Sequence, residues 1–445
     1  MKIPKRPPSW EDVVVRLTPA DAMRVLASSA PVDDRGRYLH WDDLRNRTPP
    51  NDLSHEEWWM GLTFARRAIA RDLPLLSADG TAFRLSNVDV IQEMVHRIDQ
   101  KASGQILSEG VVTDLRSSDR YLVSSLVEEA ITSSQLEGAS TTRQVAKQLL
   151  ATGRPARDRS EQMIVNNYQA MLYAQELAPR SLSMTDVLDL HRLVSEDALD
   201  DPADAGRLQG SDEQRIAVYW HDQTLLHQPP PAAELESRLG SMCRFANGEA
   251  TEGFMHPVVR AIILHFWLAH DHPFVDGNGR TARALFYWAM LHEGYWLTQY
   301  LTISSILRQA PAQYARSFLL TETDGNDLTY FVIYHLQVIE RAITSLHAYL
   351  ARKAAENRKL QVLLHGSPHL NHRQLAVVQD ALREASEPFT INAQARRNRV
   401  SREAARWDLL GLERLGLFTK ERVGKKFVFR AVPDLATRLR CLSGP

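Results

Sequence analysis

The sequence predicts a mainly α-helical protein, and three observations carry that prediction. Two apolar runs, residues 258–269 and 284–291, read as buried helices, and Leu122, Val123, Leu126, Val127, Ala130 and Ile131 repeat at helical spacing. Helix-start signals accompany the periodic stretches, best seen in the capping box Ser54-His-Glu-Glu57. Strand-like runs are short and confined to residues 215–228 and 418–429.

At 445 residues the chain is long enough for about two or three domains. A hydrophobic content of 44% and a charged content of 24% are ordinary for a water-soluble globular protein. The net charge of −1 gives no overall pull toward nucleic acid or membrane, so any basic patch must be local. Cys243 and Cys441 stand far apart and in no metal-ligand spacing, which argues against a disulfide framework or a zinc site. Residues 1–10 are basic but proline-rich and lack the apolar stretch of a signal peptide. No apolar run approaches the roughly 20 residues that span a bilayer. The expectation is a cytoplasmic protein without a membrane partner.

Residues 1–110 read as an N-terminal accessory domain, with helices over 19–28 and 54–72 and turns at Pro49-Pro50 and Asp79-Gly80. Trp41, Trp58 and Trp59 in this stretch are expected to pack in a core or between domains. A core of residues 111–350 follows. Its first helix, 118–138, starts from Ser118 or Asp119 as N-cap and stops at Gly138. Ser133 and Glu137 share one face near its end. Helices over 161–176 and 185–197 come next, and then the hairpin pattern of 215–228. Pro229-Pro-Pro231 opens a helix that runs to Ala246.

Between the two apolar helices lies His272-Pro-Phe-Val-Asp-Gly-Asn-Gly-Arg280-Thr-Ala-Arg283. Glycine lets backbone N–H groups approach a ligand closely. A helix starting near Gly279 aims its unpaired N–H groups and positive dipole end into the loop, an arrangement that binds phosphate. Arg280 and Arg283 add forked donors on one side of the first turn. Asp276 is a hard oxygen ligand suited to Mg²⁺. His272 can take a proton near neutral pH. His256, His265, His270 and His292 also lie nearby, but the motif already supplies a base.

The run from His272 to Arg280, with Arg283 three further on, resembles the signature of the Fic (AMP-transferase) family at every position. The resemblance implies a Fic-type helical core in which the motif joins two helices and AMP passes from ATP to a Ser, Thr or Tyr hydroxyl of a target protein, the chain itself included. It casts His272 as the base and Asp276 as the Mg²⁺ ligand. Gly277, Asn278 and Gly279 become the anion hole, Arg280 and Arg283 hold the phosphate tail, and Phe274 anchors the loop. Ser133-Ser-Gln-Leu-Glu137-Gly138 resembles the family's inhibitory motif, which implies that Glu137 pairs with Arg283 and blocks the γ-phosphate. Its position ahead of the core resembles the class with an N-terminal inhibitory helix. The hairpin at 215–228 takes the place of the family's target-aligning flap. Gln209 is a departure, since related sequences tend to carry arginine there. Three alternatives stay open: removal of AMP by the same site, transfer of another phosphate-linked group, and a DNA-binding regulator that senses nucleotide.

Beyond the motif, helices are expected over 301–307, 311–320 and 327–349, and residues 351–367 read as a helical linker. Residues 368–445 change character. A helix marked by Leu375, Val378 and Leu382 and a second over 391–398 precede a third over 402–415. Gly416 stops the third, and 418–429 alternates around Gly424 like a two-stranded wing. The pattern resembles a winged helix-turn-helix with residues 401–415 as recognition helix. Residues 390–430 hold eleven Lys and Arg against four Asp and Glu, a local excess of seven positive charges. Duplex DNA through 390–430 and a protein or second-copy contact both fit this segment.

Overall fold

The computed structural model describes residues 2–102, 115–219, 223–249, 253–365, 370–383, 388–398, 400–423 and 426–442. It is mainly helical, as the sequence predicts, and it divides into two compact units, Met1–Leu346 and His347–Pro445. Among the described residues no helix is long and apolar enough to cross a membrane.

The first unit opens with α1 (Trp10–Val14), α2 (Pro19–Ala27), α3 (Trp41–Leu44) and α4 (His55–Ile69). Trp58 and Trp59 are buried among Val25, Leu44 and Leu62, with Trp41 packed against them, so these aromatics do core work. The capping box at Ser54 forms as expected. The helix it starts ends at Ile69, three residues short of the sequence expectation, because the chain enters strand β1 (Ala70–Leu76). Pro74 explains the change: it cannot continue a helix, and it pushes the residue before it into extended backbone. The strand pairs antiparallel with β2 (Ala82–Ser86), a hairpin the sequence reading missed. The segment is fastened to the core through Arg66 Nη1, which donates to the Tyr330 hydroxyl at 2.9 Å, and the Tyr38 hydroxyl, which donates to Asp327.

Next come α5 (Asp89–Ala102), α6 (Leu115–Leu136), α7 (Arg143–Thr152), α8 (Arg159–Leu177) and α9 (Met184–Ser195). α6 already runs at Leu115, so Ser118 and Asp119 sit inside the helix and neither is its N-cap. Gly138, at φ 93°, ends the turn after it. The hairpin expected at 215–228 consists of β3 (Val218–Tyr219) and β4 (Leu225–His227); its tip at 220–222 lies outside the described residues. α10 (Leu235–Ala246) leads to α11 (Pro257–Asp271) and α12 (Asn278–His292). These last two pack on each other, with α12 also against α6, α8 and α9 and α11 against α10. Apart from Pro257, Arg260 and Ala269, every residue of α11 is buried, which is why its sequence is apolar all round. α13 (Ile303–Gln309), α14 (Pro311–Thr323) and α15 (Thr329–His365) complete the series, α15 carrying through most of the expected linker. Residues 366 and 367 of that linker lie outside the described residues.

In the second unit α16 (His372–Arg383) precedes β5 (Phe389–Thr390), α17 (Ile391–Asn398), α18 (Arg402–Arg414), β6 (Phe418–Val423), β7 (Lys426–Ala431) and α19 (Leu435–Leu442). The antiparallel sheet has the order β5-β7-β6. Val378, Leu409, Leu412, Phe429 and Leu439 form its core. Gly416 takes φ 71° after α18, as its role as a stop requires. The turn at Gly424 lies outside the described residues.

Candidate active site

α11 delivers its last residues to a six-residue loop, and α12 starts on the other side. His272, the C-cap of α11, adopts left-handed backbone with φ 46° and ψ 52°, a costly conformation for a residue with a side chain. Arg215 holds it there. Its Nη2 donates to the carbonyl oxygens of Asp271 at 2.6 Å and His272 at 2.9 Å, and its Nε donates to Pro230 at 2.7 Å. The first two bonds satisfy helix-end carbonyls that have no partner in α11. The Gln209 N–H adds a bond to the Pro273 oxygen at 2.9 Å. An arginine thus reaches this loop even though position 209 lacks one.

Inside the loop Phe274 is fully buried and stacks on His191, with ring centroids 3.7 Å apart and planes 2° from parallel. His191 Nε2 lies 2.9 Å from the Asp276 oxygen, and Nδ1 accepts from the Gly206 N–H at 3.0 Å. Burial lowers its pKa to about 4, so the ring is neutral and can do both. Asn278 turns inward. Its Oδ1 accepts from the Phe274 N–H at 3.0 Å, and its Nδ2 donates to the Phe274 oxygen at 2.8 Å. Only the backbone of Asn278, and not its amide group, can face a ligand. Gly277 is left-handed at φ 83°, and a Cβ there would lie 3.4 Å from the His191 ring.

The open side of the loop is the N-terminus of α12, whose N-cap Gly277 supplies no side-chain acceptor. An acceptor arrives from the turn that follows α6. A Cβ at Gly279 would collide with Glu137 Oε1, so the Glu137 carboxylate rests directly on the first turn. Arg283 Nη2 donates to that oxygen at 2.8 Å. The same guanidinium donates through Nε to Ser133 Oγ at 2.8 Å and through Nη2 to the Ser133 carbonyl at 3.0 Å. Burial disfavours the charged Arg283, but the Glu137 charge and hydrogen bond, with Tyr314 and Glu129, together raise its pKa. Arg280 is fully buried, donates through Nη1 to the Val194 oxygen at 2.6 Å and lies 3.6 Å from Asp276 Oδ1. Its Nε and Nη2, with Arg283 Nη1, are buried and make no hydrogen bond among the described residues. Buried donors without acceptors are rare and costly, so three of them around one helix end favour an anion.

Asp276 is 41% exposed; Oδ1 accepts from the Gly277 N–H and Oδ2 from Arg159 Nη2 at 3.2 Å. Its exposed carboxylate suits a hard cation that brings its remaining oxygens with it. His272 Nδ1 lies 3.3 Å from the Ala269 oxygen, and burial lowers the imidazole pKa to about 4. The ring therefore stays neutral and able to accept a proton. Ser133, Glu137, Asp276, Gly279, Arg280 and Arg283 all meet at this one place. Arg215, His191 and Arg159 were not singled out from the sequence, where nothing local marks them.

A helix pair joined by this loop, with a glycine-rich anion seat on its second member, defines the class. Residues 181–290 match the Fic/DOC family. Among its relatives is a protein adenylyltransferase Fic of Drosophila ananassae, 29% identical over 165 residues, covering 36% of this chain and 31% of that protein. Another of the same name from Drosophila grimshawi is 34% identical over 128 residues, covering 28% of this chain and 24% of the relative. The chain thus spans about a quarter to a third of the curated relatives' length. Two solved structures also resemble it. One is a Fic family protein of Desulfovibrio desulfuricans, 19% identical with a TM-score of 0.49, covering 78% of this chain and 97% of that one. The other is Fic-1 of C. elegans, 23% identical with a TM-score of 0.44, covering 60% and 73%.

Proposed function

We propose that this protein transfers AMP from ATP to a Ser, Thr or Tyr hydroxyl of a target protein, and that Glu137 holds the site in check. The observation that carries the reading is the carboxylate seated on Gly279 and bonded to Arg283: a place that binds one anion there accepts a phosphate when that anion leaves. ATP lies with its phosphates against the Gly277, Asn278 and Gly279 backbone, and Arg280 and Arg283 meet the tail. His272 Nε2 removes the proton from the attacking hydroxyl as it adds to the α-phosphorus, and pyrophosphate leaves. The preorganised donors meet the charge that develops on the phosphate oxygens. Asp276 would hold Mg²⁺, which supplies further charge neutralisation on the phosphates. Phe274, locked on His191, keeps the loop in register for a reaction sensitive to misplacement.

One observation favours a second reading. Glu137 engages Arg283 through Oε1 alone, so Oε2 can orient a water for removal of AMP from a modified target. In the second unit α18 buries Ala405, Leu409 and Leu412 and exposes Arg402, Arg406 and Trp407. That face, in the basic segment 390–430, supports a winged-helix role on duplex DNA. The deciding experiment is incubation of the full chain and its Glu137→Gly variant with α-labelled ATP and Mg²⁺, alone and with candidate target proteins. Covalent label on protein, stronger in the variant, is expected. No label from either protein with any target overturns the reading, and loss of AMP from a prelabelled target only in wild type favours the reverse reaction.

A further inference from the structure

Behind the loop, three side chains from separate elements converge. His227 comes from β4, His270 from the last turn of α11 and Glu322 from the end of α14. One nitrogen of each imidazole and one Glu322 carboxylate oxygen lie within 4.8 Å of one another. The remaining nitrogens have acceptors of their own. His227 Nε2 sits 2.7 Å from the His270 carbonyl oxygen, and His270 Nδ1 sits 3.3 Å from Asp271 Oδ1. With its one proton on Nε2, toward the His270 carbonyl, a neutral His227 turns a bare Nδ1 to Glu322, and His270, with its proton on Nδ1 toward Asp271, turns Nε2 the same way. His227 Nδ1 and His270 Nε2 then present lone pairs. Anchoring the far nitrogen of a histidine on a carboxylate or a backbone carbonyl is how metal-ligating imidazoles are oriented. Asp271 is itself fixed, by Arg238 Nη2 at 2.6 Å and Trp267 Nε1 at 3.0 Å.

His227 Nδ1 stands 3.0 Å from one Glu322 oxygen and 3.1 Å from the other. Two lone-pair groups that close repel unless a proton or a metal ion lies between them; against the burial of the ring, the Glu322 carboxylate raises the His227 pKa, so the pair attracts a cation of either kind. Ligand atoms around a tetrahedral zinc with bonds of ~2.0–2.1 Å stand about 3.3 Å apart, close to that spacing. Two imidazoles and a carboxylate, with a fourth position left for water, form a donor set that zinc favours, whereas Mg²⁺ selects oxygen. The His227 and Glu322 side chains are 11% and 21% exposed, which leaves an entry path.

We propose that His227, His270 and Glu322 bind one zinc-class divalent ion, which ties the β4 strand to the end of α11. The site uses no cysteine, so cysteine spacing gave no sign of it. It is chemically distinct from the oxygen site at Asp276, and excess Mg²⁺ does not displace its ion.

The test strips the full chain with a chelator and titrates it with Zn²⁺ against a chromogenic competitor in excess Mg²⁺. Wild type should take up one zinc per chain and unfold at a higher temperature with it. His227→Gln, on a partly exposed strand, should bind zinc at least tenfold more weakly and lose the thermal shift, and Glu322→Gln should do the same. His270→Ala serves only if circular dichroism shows it folded. Wild-type binding no tighter than that of the folded His227→Gln protein overturns the proposal. It leaves a proton between His227 and Glu322 as the bridging cation.

Discussion

The N-terminus of α12 and the exposed face of α18 both present positive charge, and they do so by opposite means. Arg280 and Arg283 are buried, their donors fixed by Val194 and Ser133, and a single carboxylate fills the seat. Arg402 and Arg406 are exposed, beside a Trp407 that is 56% exposed and has the Arg414 guanidinium 5.4 Å from its ring. Few charges held in fixed geometry give selectivity that salt barely screens. Many mobile charges give attraction that releases counterions and weakens steeply with salt. The first arrangement suits a small anion in one orientation, the second a long polyanion.

The largest effect is expected where neither arrangement is touched. His272→Ala removes the proton acceptor and leaves every anion donor in place. Transfer should fall about 10²-fold or more while nucleotide binding persists. Near wild-type labelling by this variant would remove His272 from the mechanism. Glu137→Gly empties the seat instead, and self-labelling should rise on the order of 10-fold to 10²-fold. If the rate holds steady, the Glu137–Arg283 pair is an ordinary helix contact.

Salt separates the two regions directly. Between 50 and 200 mM salt, DNA binding by the whole chain should weaken steeply, and Arg402→Ala should reduce the salt slope by about one. Over the same range nucleotide binding should change much less. Equal salt sensitivity at both places would dissolve the distinction. Acidity offers a smaller test. Burial lowers the His272 pKa to about 4, so the base form persists well below the ordinary 6.5. The transfer rate should lose nothing to His272 protonation between pH 8 and about pH 5.5, and should fall as pH nears 4. The buried neutral ring has the converse effect on stability, which declines as pH drops below the unfolded value of 6.5. An inflection in rate near 6.5 assigned to His272 would show a solvated imidazole.

The helix pair α11 and α12 was legible because its residues are apolar on every face, and the motif between them because its chemistry is crowded into twelve positions. The β1–β2 hairpin was not, since a helical pattern runs up to Ile69 and only Pro74 interrupts it. The supports of the site stayed hidden for a different reason. His191 lies 85 residues from its partner Asp276, and Arg215 lies 57 from His272. Such contacts are made by packing, and no local pattern announces them. Asn278 was legible as a site residue but not as a brace, because its role depends on which way the amide turns.

The smallest effect expected belongs to Ser133, and it probes how the seat is kept. Among the described residues Ser133 Oγ accepts only the Nε bond of Arg283, at 2.8 Å. The Ser133 carbonyl, at 3.0 Å from Nη2, is backbone and survives any substitution, and so does the Glu137 bond. Ser133→Ala therefore strips one of three bonds and leaves Nε buried without an acceptor. That loss costs on the order of 1–3 kcal/mol when nothing replaces the bond. It weighs on the state in which Arg283 points at Ser133 and less on one in which bound phosphates draw the guanidinium toward them. Self-labelling should rise by a few-fold, well below the Glu137→Gly value, and the double variant should add little to Glu137→Gly alone. A Ser133→Ala rate equal to that of Glu137→Gly would mean that the hydroxyl, and not the carboxylate, holds Arg283 in place.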